Sequence, residues 1–268
     1  MEVQSLDEAD SLSSLTRDIR LVIRGLAPVP RVDGQTHVLW VISHPEAVEV
    51  GECDEADLVL VASERFAAHL RERTSTPVAV MLQATDAHRF RPLEPVAAHR
   101  HAVTVVAKTR DVMRPVVADA IAAGVRPAIY GGGWRSLIDP TLVVANHVDN
   151  DQLPVIYSSA DVVLNDHWES MREWGFVSNR VFDVLACATP IISDELRELH
   201  DLFGTAVMTY RSPEELADRV RDVLADPQRA KAAAAAGRDL VVRSHTFDDR
   251  ARQLMVLLDE HGLRLPRK

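Results

Sequence analysis

Short apolar runs alternate with stretches of helical periodicity along most of the chain. Most of these runs are continuous in Val, Ile and Leu, without polar alternation, which is typical of strands buried on both faces of a parallel sheet. Such strands alternating with helices indicate βα units and an α/β fold. The predicted strands are 19–23, 37–42, 57–61, 77–82, 103–107, 127–130, 141–145, 161–164, 190–193 and 205–209.

Helix starts are marked by prolines and by capping residues. Ser212 stands three residues before Glu215 and directly before a proline, which is the pattern of a capping box with proline at the first helical position. Gly124 and Gly262 are placed to end two of the helices. The helices are predicted to begin at Pro115, Pro213, Pro227 and Thr246.

The segment 92–101 contains two prolines and no strand pattern, so it predicts a linker. We expect residues 1–94 to form a partial first lobe and residues 95–245 a second lobe large enough for a complete nucleotide-binding fold. Residues 246–268 form a C-terminal helix that could pack back toward the first lobe. The first part holds only four predicted strands and begins with the polar segment 1–16. We therefore expect its opening units to be lacking, through a truncated gene model, a split protein or a reduced relative.

Composition narrows the class of protein. Hydrophobic residues at 47% suffice for a core, and 26% charged residues suit a soluble surface. No apolar run approaches the roughly 20 residues of a membrane span, and the acidic start is no secretory signal, so we expect a cytoplasmic protein. Two cysteines make no disulfide framework. The net charge of −10 argues against binding to nucleic acid or anionic membranes, but a local basic pocket remains compatible with it.

The most informative stretch is 168–193, which reads as a polar loop, a short buried helix, a Thr-Pro turn and a buried strand. A helix start offers free N–H groups and a positive dipole end to an anion. Asn179 and Arg180 fall in the first turn of this helix. Asp183 lies one turn on, on the same face, where a carboxylate can accept hydrogen bonds from a ribose diol. Loops on rigid scaffolds are where ligand contacts concentrate.

This stretch resembles the CgeB-like glycosyltransferases, and the resemblance extends over much of the chain. The family has a loop ending in Gly, then Asn-Arg, a hydrophobic pair and an acid, a small-residue helix and a Thr-Pro turn. The resemblance implies a GT-B fold: two Rossmann-like lobes with parallel sheets, the first of them incomplete here, facing a cleft. The matching positions are Gly175, Asn179, Arg180, Asp183 and Thr189-Pro190, with 130–134, 153–154, 157–161 and 245–247, and upstream 37–46, 84–86 and 90–92.

The resemblance implies a donor site on the second lobe. Asp183 would bind the ribose hydroxyls, and Arg180 with the backbone N–H groups near Asn179 would neutralise the diphosphate. Basic residues that follow the strand 103–107 would assist, because βα loops of open sheets meet ligands there. The alternative is that Arg180 and Asp183 form only a surface i,i+3 pair. The remaining candidates for donor binding are Lys108, Arg110, Arg114, Gly131, Gly132, Gly133, Trp134, His167 and Gly175.

Several of these candidates have a simpler interpretation. The three glycines could form an ordinary βα turn, since glycine supplies unusual φ angles. Trp134, like Trp168 and Trp174, could stack on a sugar or base or could belong to the core. No GxGxxG or GxxxxGK[ST] motif is present, so dinucleotide and P-loop sites lack their mechanism.

Candidate catalytic residues are fewer. His44 ends a first-lobe strand, and in GT-B enzymes a first-lobe histidine often faces the sugar or acceptor; the alternative is a histidine that hydrogen-bonds within its loop. Glu46 and Asp86 are lesser candidates. The larger retaining GT-B group has glutamates where this chain has Gly175 and Asp183, so the contact to the transferred sugar must come from elsewhere. Glu173 and Glu169 are the candidates for that contact.

Two further positions bear on the site. Asp149-Asn150-Asp151 matches the DxD pattern of metal-dependent transferases of the other major fold, but it precedes what looks like the start of a helix. We therefore predict Asp151 to be a helix cap and expect no metal site. Ala188 stands where the family usually has glycine, and its methyl group could alter packing at a tight helix end.

The sequence thus predicts a metal-independent glycosyltransferase that moves a sugar from a nucleotide-diphosphate donor, without a further cofactor. The acceptor is unknown and could be a glycan, a protein or a small molecule. Alternatives are a non-catalytic nucleotide-sugar-binding subunit or sensor, and a GT-B-fold nucleotide-sugar epimerase. A partner chain could complete the first lobe and cover its exposed strand edges. Donor base, sugar, stereochemical outcome and assembly state are not specified by the sequence.

Overall fold

The computed structural model describes residues 19–263. The polar segment 1–16, and residues 264–268 of the predicted C-terminal helix, lie outside the described residues. The chain divides into two compact units, which we call unit 1 (1–82 with 252–268) and unit 2 (83–251). The proline-rich segment 92–101 lies inside unit 2, ten residues beyond the division.

The described residues form ten strands and ten α-helices, with short 3-10 turns between them. The strands are β1 (Ile19–Arg24), β2 (Thr36–Val41), β3 (Leu58–Val61), β4 (Val78–Val80), β5 (His101–Val106), β6 (Ala128–Tyr130), β7 (Val143–Ala145), β8 (Ala160–Asn165), β9 (Ile191–Asp194) and β10 (Val207–Tyr210). The helices are α1 (Val50–Asp54), α2 (Glu64–Arg71), α3 (Pro115–Ala122), α4 (Leu153–Ser159), α5 (Glu169–Trp174), α6 (Asn179–Ala186), α7 (Arg197–Phe203), α8 (Pro213–Ala225), α9 (Pro227–Ser244) and α10 (Phe247–Glu260).

Unit 1 is built on a four-stranded parallel sheet in the order β1-β2-β3-β4. Its core includes Val38, Trp40, Leu58 and Leu60 from the sheet and Leu258 from α10. Helix α10 begins in unit 2 and continues into unit 1, where its apolar face completes this core. None of the helices in residues 19–263 combines the length and apolar character of a membrane span.

Unit 2 is built on a six-stranded parallel sheet in the order β10-β9-β8-β5-β6-β7. The chain runs outward from β5 through β6 to β7, then returns to the other side of β5 and runs outward again through β8, β9 and β10. The direction of winding therefore reverses between β5 and β8. In open α/β sheets, ligands bind in the crevice outside the carboxyl ends of the strands at such a switch point.

All ten predicted strands are present within a few residues of their predicted bounds, so the α/β class with two parallel sheets is confirmed. The helix starts at Pro115, Pro213 and Pro227 are confirmed as well, and Thr246 caps α10 by accepting the N–H of Asp249. The predicted capping box of α8 is only half formed. Ser212 accepts the N–H of Glu215, but the Glu215 carboxylate accepts from Arg211 instead of Ser212.

The prediction of Asp151 as a helix cap is wrong. Asp151 lies inside a short 3-10 turn, Asn150–Gln152, and no side chain caps the start of α4. Its carboxylate is exposed and lies 3.5 Å from the guanidinium of Arg89. The 3-10 turn leads directly into α4, so the backbone enters the helix without a capping side chain.

Ala188 has an unfavourable backbone conformation directly after α6. Its φ angle is 54°, in the left-handed region, where its N–H donates to Leu185 and that of Thr189 to Val184. An L-residue pays about 1–2 kcal/mol for this conformation, whereas glycine does not.

We therefore expect Ala188→Gly to raise the free energy of unfolding by about 0.5–1 kcal/mol, after the larger unfolded-state entropy of glycine is subtracted. Urea denaturation measures the change. Ala235→Gly, on the exposed side of α9, is the matched control and should lower stability by about 1 kcal/mol. A loss of stability in Ala188→Gly would show that the methyl group is needed for packing.

Candidate functional site

Basic side chains collect at the switch point of unit 2. The loop that follows β5 carries Lys108 and Arg110, both exposed, and ends at Arg114, the residue before α3. The loop that follows β8 carries Asp166 and the half-buried Trp168. Because β5 and β8 are neighbours, these two loops face the same crevice.

Arg114 and Asp166 form a buried ion pair in this crevice. Arg114 is 6% exposed and Asp166 is 2% exposed. One guanidinium nitrogen donates both to the Asp166 carboxylate and, at 3.1 Å, to its backbone carbonyl. The second carboxylate oxygen accepts the N–H of Val116 at 3.4 Å, so the pair also ties the first turn of α3 to β8. Burial lowers the pKa of Arg114, the charge of Asp166 opposes this, and Arg180 and Arg110 add to the lowering.

Trp168 brings two guanidinium groups together. The Cζ atoms of Arg114 and Arg110 lie 5.0 and 5.5 Å from the centroid of its ring, within cation–π range. Arg110 and Asp111 have φ angles of 53° and 62°. Such angles are unfavourable for non-glycine residues, and they occur at functional sites when the surrounding structure holds them. Here the hydroxyl of Thr109 accepts the N–H of Asp111 at 3.1 Å.

Helix α6 begins at Asn179, as predicted, and carries a buried acid one turn later. Asp183 is 6% exposed and accepts hydrogen bonds from the Thr85 hydroxyl at 2.7 Å and the Asn179 amide at 2.8 Å. Burial raises the pKa of Asp183 to about 7, although both hydrogen bonds and Arg180 oppose the shift. Each carboxylate oxygen retains a lone pair for a further donor.

The alternative of a surface pair between Arg180 and Asp183 is wrong. Asp183 is buried and is satisfied by Thr85 and Asn179, and Arg180 donates at 2.7 Å to the side-chain oxygen of Asn165 at the end of β8. Arg180 is therefore oriented toward the switch point, close enough to lower the pKa of Arg114.

His167 is not available as a direct ligand contact, which corrects the prediction. Its side chain has no exposed surface, and both ring nitrogens are occupied. Nδ1 lies 2.7 Å from Asp194 Oδ1, and Nε2 accepts the backbone N–H of Ser178 at 3.0 Å. The imidazole thus connects the ends of β8 and β9 to the residue before α6.

The glycine loop after β6 is shaped by packing. Gly131 and Gly133 have φ angles of 141° and 87°, and an added Cβ would meet the Ala107 carbonyl oxygen at 2.1 Å and the Thr109 hydroxyl at 2.2 Å. Gly132 is less constrained, with the nearest atom, the carbonyl oxygen of Asn146, at 3.2 Å. These glycines therefore allow close contact with the loop after β5, whether or not they also meet a ligand.

Trp134 is a core residue, which corrects its prediction as a donor contact. It is fully buried, packs in the cluster that contains Val105 and Ile129, and donates its indole N–H to the Ala107 carbonyl at 2.7 Å. No face of the ring is left for a sugar or base.

The other sequence-predicted residues occupy less specific positions. Gly175 ends α5 in the left-handed region, with φ 73° and its N–H bonded to the Arg172 carbonyl, so helix termination accounts for this glycine. Glu169 and Glu173 are exposed on α5. The Asp86 carboxylate accepts the backbone N–H groups of His88 and Arg89 and stabilises a turn.

His44 lies in unit 1, beyond the end of β2. It has a left-handed backbone, φ 55°, is 8% exposed, and its Nδ1 lies 3.0 Å from a carboxylate oxygen of Glu46. A strained, non-glycine residue at the carboxyl end of a strand is the kind of position that functional residues occupy. The bond to Glu46 fits the interpretation of a loop hydrogen bond equally well.

Three positions of the candidate site were missed by the sequence analysis: Asn165, Asp166 and Asp194. Each stands at the carboxyl end of a strand or directly after it, and each is at most 6% exposed. The sequence signal that could have identified them is their position directly after the apolar runs 161–164 and 190–193, where polar residues end buried strands. In residues 19–263, no group of three or more His, Cys, Asp or Glu side chains is placed to hold a metal ion.

Comparison with known proteins identifies the family. The model of the glycosyl transferase-like family (Glyco_trans_1_2) matches residues 108–256, more than half of the chain. The chain belongs to this glycosyl transferase-like family. Among curated protein sequences, none matches it.

Solved structures of glycosyltransferases share the fold. Sucrose-phosphate synthase from Thermosynechococcus elongatus aligns with a TM-score of 0.63 and 17% identity over 84% of this chain and 68% of its own. HepE of Anabaena in complex with UDP-glucose aligns with a TM-score of 0.64 and 12% identity, over 84% of this chain and 72% of its own. A glycosyltransferase from Rickettsia africae aligns with a TM-score of 0.63 and 12% identity, over 97% of this chain and 84% of its own. At these identities the likeness shows the fold, and it confirms the GT-B-like class.

Proposed function

We propose that this chain is a CgeB-like glycosyltransferase that binds a nucleotide-diphosphate sugar in the switch-point crevice of unit 2 and transfers its sugar to an acceptor. The observation that carries the proposal is the group of three guanidiniums, Arg110, Arg114 and Arg180, at the carboxyl ends of β5 and β8. Trp168 contacts two of them, and both Arg110 and Arg180 perturb the pKa of Arg114.

The charge balance of this crevice suits a diphosphate. Although the chain carries a net charge of −10, three guanidiniums lie at this crevice, of which Arg114 pairs with Asp166 and Arg180 donates to the neutral amide oxygen of Asn165. Glycosyl transfer leaves negative charge on the departing diphosphate, and pre-placed cations that meet this charge stabilise the transition state. The exposed Lys108 and the positive dipole end of α6 add to the same field.

A ribose is proposed to bind at Asp183. The two carboxylate oxygens of Asp183 accept hydrogen bonds from Thr85 and Asn179, and each oxygen has a lone pair left for a ribose hydroxyl. Because the pKa of Asp183 is about 7, donor binding would have to favour its ionised form. Uridine is the first base to test, since HepE, which shares the fold, was solved with UDP-glucose.

The rest of the proposal concerns the chemistry. We propose a reaction without a metal ion and without a cofactor, because arginines and helix N–H groups can supply the charge that a metal would bring. His44 and Glu173 remain the candidates for contacts to the reacting sugar or the acceptor.

Calorimetric titration with UDP, GDP, ADP and dTDP, first without and then with Mg²⁺, tests the proposal. We expect saturable binding of one nucleotide, UDP being the first candidate, with a Kd that Mg²⁺ leaves unchanged. Arg126→Met serves as the control, because Arg126 is exposed and pairs with Asp139; its Kd should equal that of the wild type.

The opposite results are equally informative. If a folded protein binds none of the four nucleotides, the donor site is refuted. Binding that requires Mg²⁺ would keep the donor site and refute the metal-independent reaction. Binding without turnover of any nucleotide sugar would favour the non-catalytic subunit or sensor.

A further inference from the structure

A buried chain of hydrogen bonds connects the ends of β8 and β9 to the start of α6. On one branch, Arg180 donates to Asn165 at 2.7 Å, Asn165 donates to Ser193 at 2.9 Å, and Ser193 donates to Asp194 Oδ1 at 2.9 Å. On the other branch, the Ser178 N–H donates to His167 Nε2, and His167 Nδ1 lies 2.7 Å from the same Asp194 oxygen. Both branches end on one carboxylate.

The hydrogen-bond partners fix the tautomer of His167. The backbone N–H of Ser178 can only donate, so Nε2 must accept and carry no proton. Nδ1 then carries the proton and donates it to Asp194. Which ring nitrogen of a neutral histidine is protonated is set by the bond that the other nitrogen makes, and here the carboxylate selects Nδ1–H.

Asp194 is suited to this role. Its side chain is buried, and its second oxygen accepts the backbone N–H of His167 at 3.1 Å. Burial alone would raise the pKa of Asp194, but the hydrogen bonds from His167 and Ser193 and the interaction with the imidazole outweigh it, and the pKa is lowered. The group therefore stays ionised and acts as an acceptor only.

The start of α6 depends on this arrangement. Ser178 is the N-cap residue of α6, but its side chain makes no capping hydrogen bond. The start of the helix therefore lacks the interaction that a serine at this position usually provides. The His167 ring instead holds the cap residue itself, by accepting the backbone N–H of Ser178. The first turn then carries Asn179 and Arg180 into the crevice.

We infer that Asp194 is a positioning residue for donor binding: it holds His167 in the tautomer that fastens Ser178, and through Ser193 and Asn165 it orients Arg180. The part that concerns donor binding rests on the proposed function. The tautomer and the fastening of α6 do not depend on it.

Asp194→Asn tests the inference because asparagine has one acceptor oxygen where aspartate has two. The orientation that satisfies most bonds keeps this oxygen on the His167 backbone N–H and turns the amide toward Nδ1 and Ser193. Nδ1 must then accept, so the proton moves to Nε2, which faces the Ser178 N–H as donor against donor. A histidine whose carboxylate partner becomes an amide is known to adopt the wrong tautomer in this way.

The measurement is ¹⁵N NMR of the His167 ring and the Ser178 amide, together with calorimetric titration by UDP. We expect Nδ1–H in the wild type, Nε2–H with a displaced Ser178 resonance in Asp194→Asn, and a Kd for UDP raised by at least about tenfold. Glu195→Gln is the matched control, since Glu195 is the next residue and pairs with the half-exposed His200. It should change neither the His167 tautomer nor the Kd.

If Asp194→Asn fails to fold, two variants of His167 test whether its contact with Ser178 affects UDP binding. His167→Gln can place an acceptor oxygen near the position of Nε2, whereas His167→Asn is too short to reach Ser178. We expect the glutamine variant to retain more UDP affinity than the asparagine variant. Equal affinities would overturn the inference, because the fastening of Ser178 would then not matter.

The failure of the proposed function is distinguishable from the failure of this inference. If the wild type binds no nucleotide but shows Nδ1–H, and Asp194→Asn reverses the tautomer and displaces Ser178, the donor site is refuted and the fastening of α6 by Asp194 stands. If UDP binds but the wild type shows Nε2–H, or Asp194→Asn leaves tautomer and affinity unchanged, the positioning role of Asp194 is refuted and the donor site stands.

Discussion

Replacing Arg114 by methionine should lower the free energy of unfolding by about 3–5 kcal/mol and abolish nucleotide binding. The stability loss follows from Asp166, which is 2% exposed and would be left as a buried carboxylate without its partner cation. The binding loss follows from the removal of the cation at the centre of the arginine group. Urea denaturation and calorimetric titration with UDP measure the two effects on the same preparation.

Two further variants separate the causes. Arg110→Met removes an exposed guanidinium that also contacts Trp168, and we expect a weaker affinity for UDP with a stability change of less than about 1 kcal/mol. In Arg114→Met/Asp166→Asn the buried charge is gone, so much of the stability should return while binding stays lost. If Arg114→Met is as stable as the wild type, the pair does not carry the stability that its burial indicates.

The strands and the crevice could be predicted because their signal is local. The apolar run 103–107 indicates a buried strand, and the basic residues that follow it must then lie at its carboxyl end. The same holds for Asn179 and Arg180, whose place in the first turn of α6 follows from the apolar positions after them. Local pattern fixes which end of an element a residue occupies, and in a parallel sheet that decides which residues share an edge.

The hydrogen-bond partners could not be predicted in this way. His167 and Asp194 lie 27 positions apart, and Asp183 and Thr85 lie 98 apart. Nothing in the local pattern shows that a polar residue after one strand meets a polar residue after the next, rather than solvent. His167 was therefore interpreted as a ligand contact, whereas its ring nitrogens are occupied by protein groups.

Trp134 illustrates a second limit. An aromatic residue after three glycines reads equally as a stacking surface and as a core residue, because both need an apolar ring beside flexible backbone. What decides is the close approach of the loops after β5 and β6, which only glycine allows and which encloses the ring. Packing of one loop on another is a tertiary property, and the sequence of either loop alone does not contain it.

Asp183 combines two opposing requirements in one side chain. Its burial makes ionisation unfavourable, and the pKa rises to about 7 from an unfolded value near 3.9. Between about pH 4 and pH 7 the folded protein therefore holds a proton that the unfolded chain has lost. The free energy of unfolding must fall as pH rises through this window, by up to about 4 kcal/mol for a shift of about three pH units. A ribose diol, however, needs the ionised acceptor.

We accordingly expect Asp183→Asn to have effects of opposite sign on stability and on binding. At pH 8 the variant should be more stable than the wild type by up to about 4 kcal/mol, since the buried charge is gone and the Asn179 amide can rotate to keep its bond. The fall in stability between pH 4 and pH 7 should become shallower by the same amount. UDP binding should be lost, because one acceptor for the ribose becomes a donor.

Urea denaturation from pH 4 to pH 8 and calorimetric titration at pH 8 measure these effects, with Asp161→Asn as the control because Asp161 is exposed on β8. A variant that binds UDP like the wild type would refute the ribose assignment, whatever its stability. A variant that is less stable at pH 8 would show that the ionised carboxylate stabilises the folded protein. The combination that we expect, gained stability with lost binding, would mean that the protein retains an unfavourable buried acid at this position because the donor requires it.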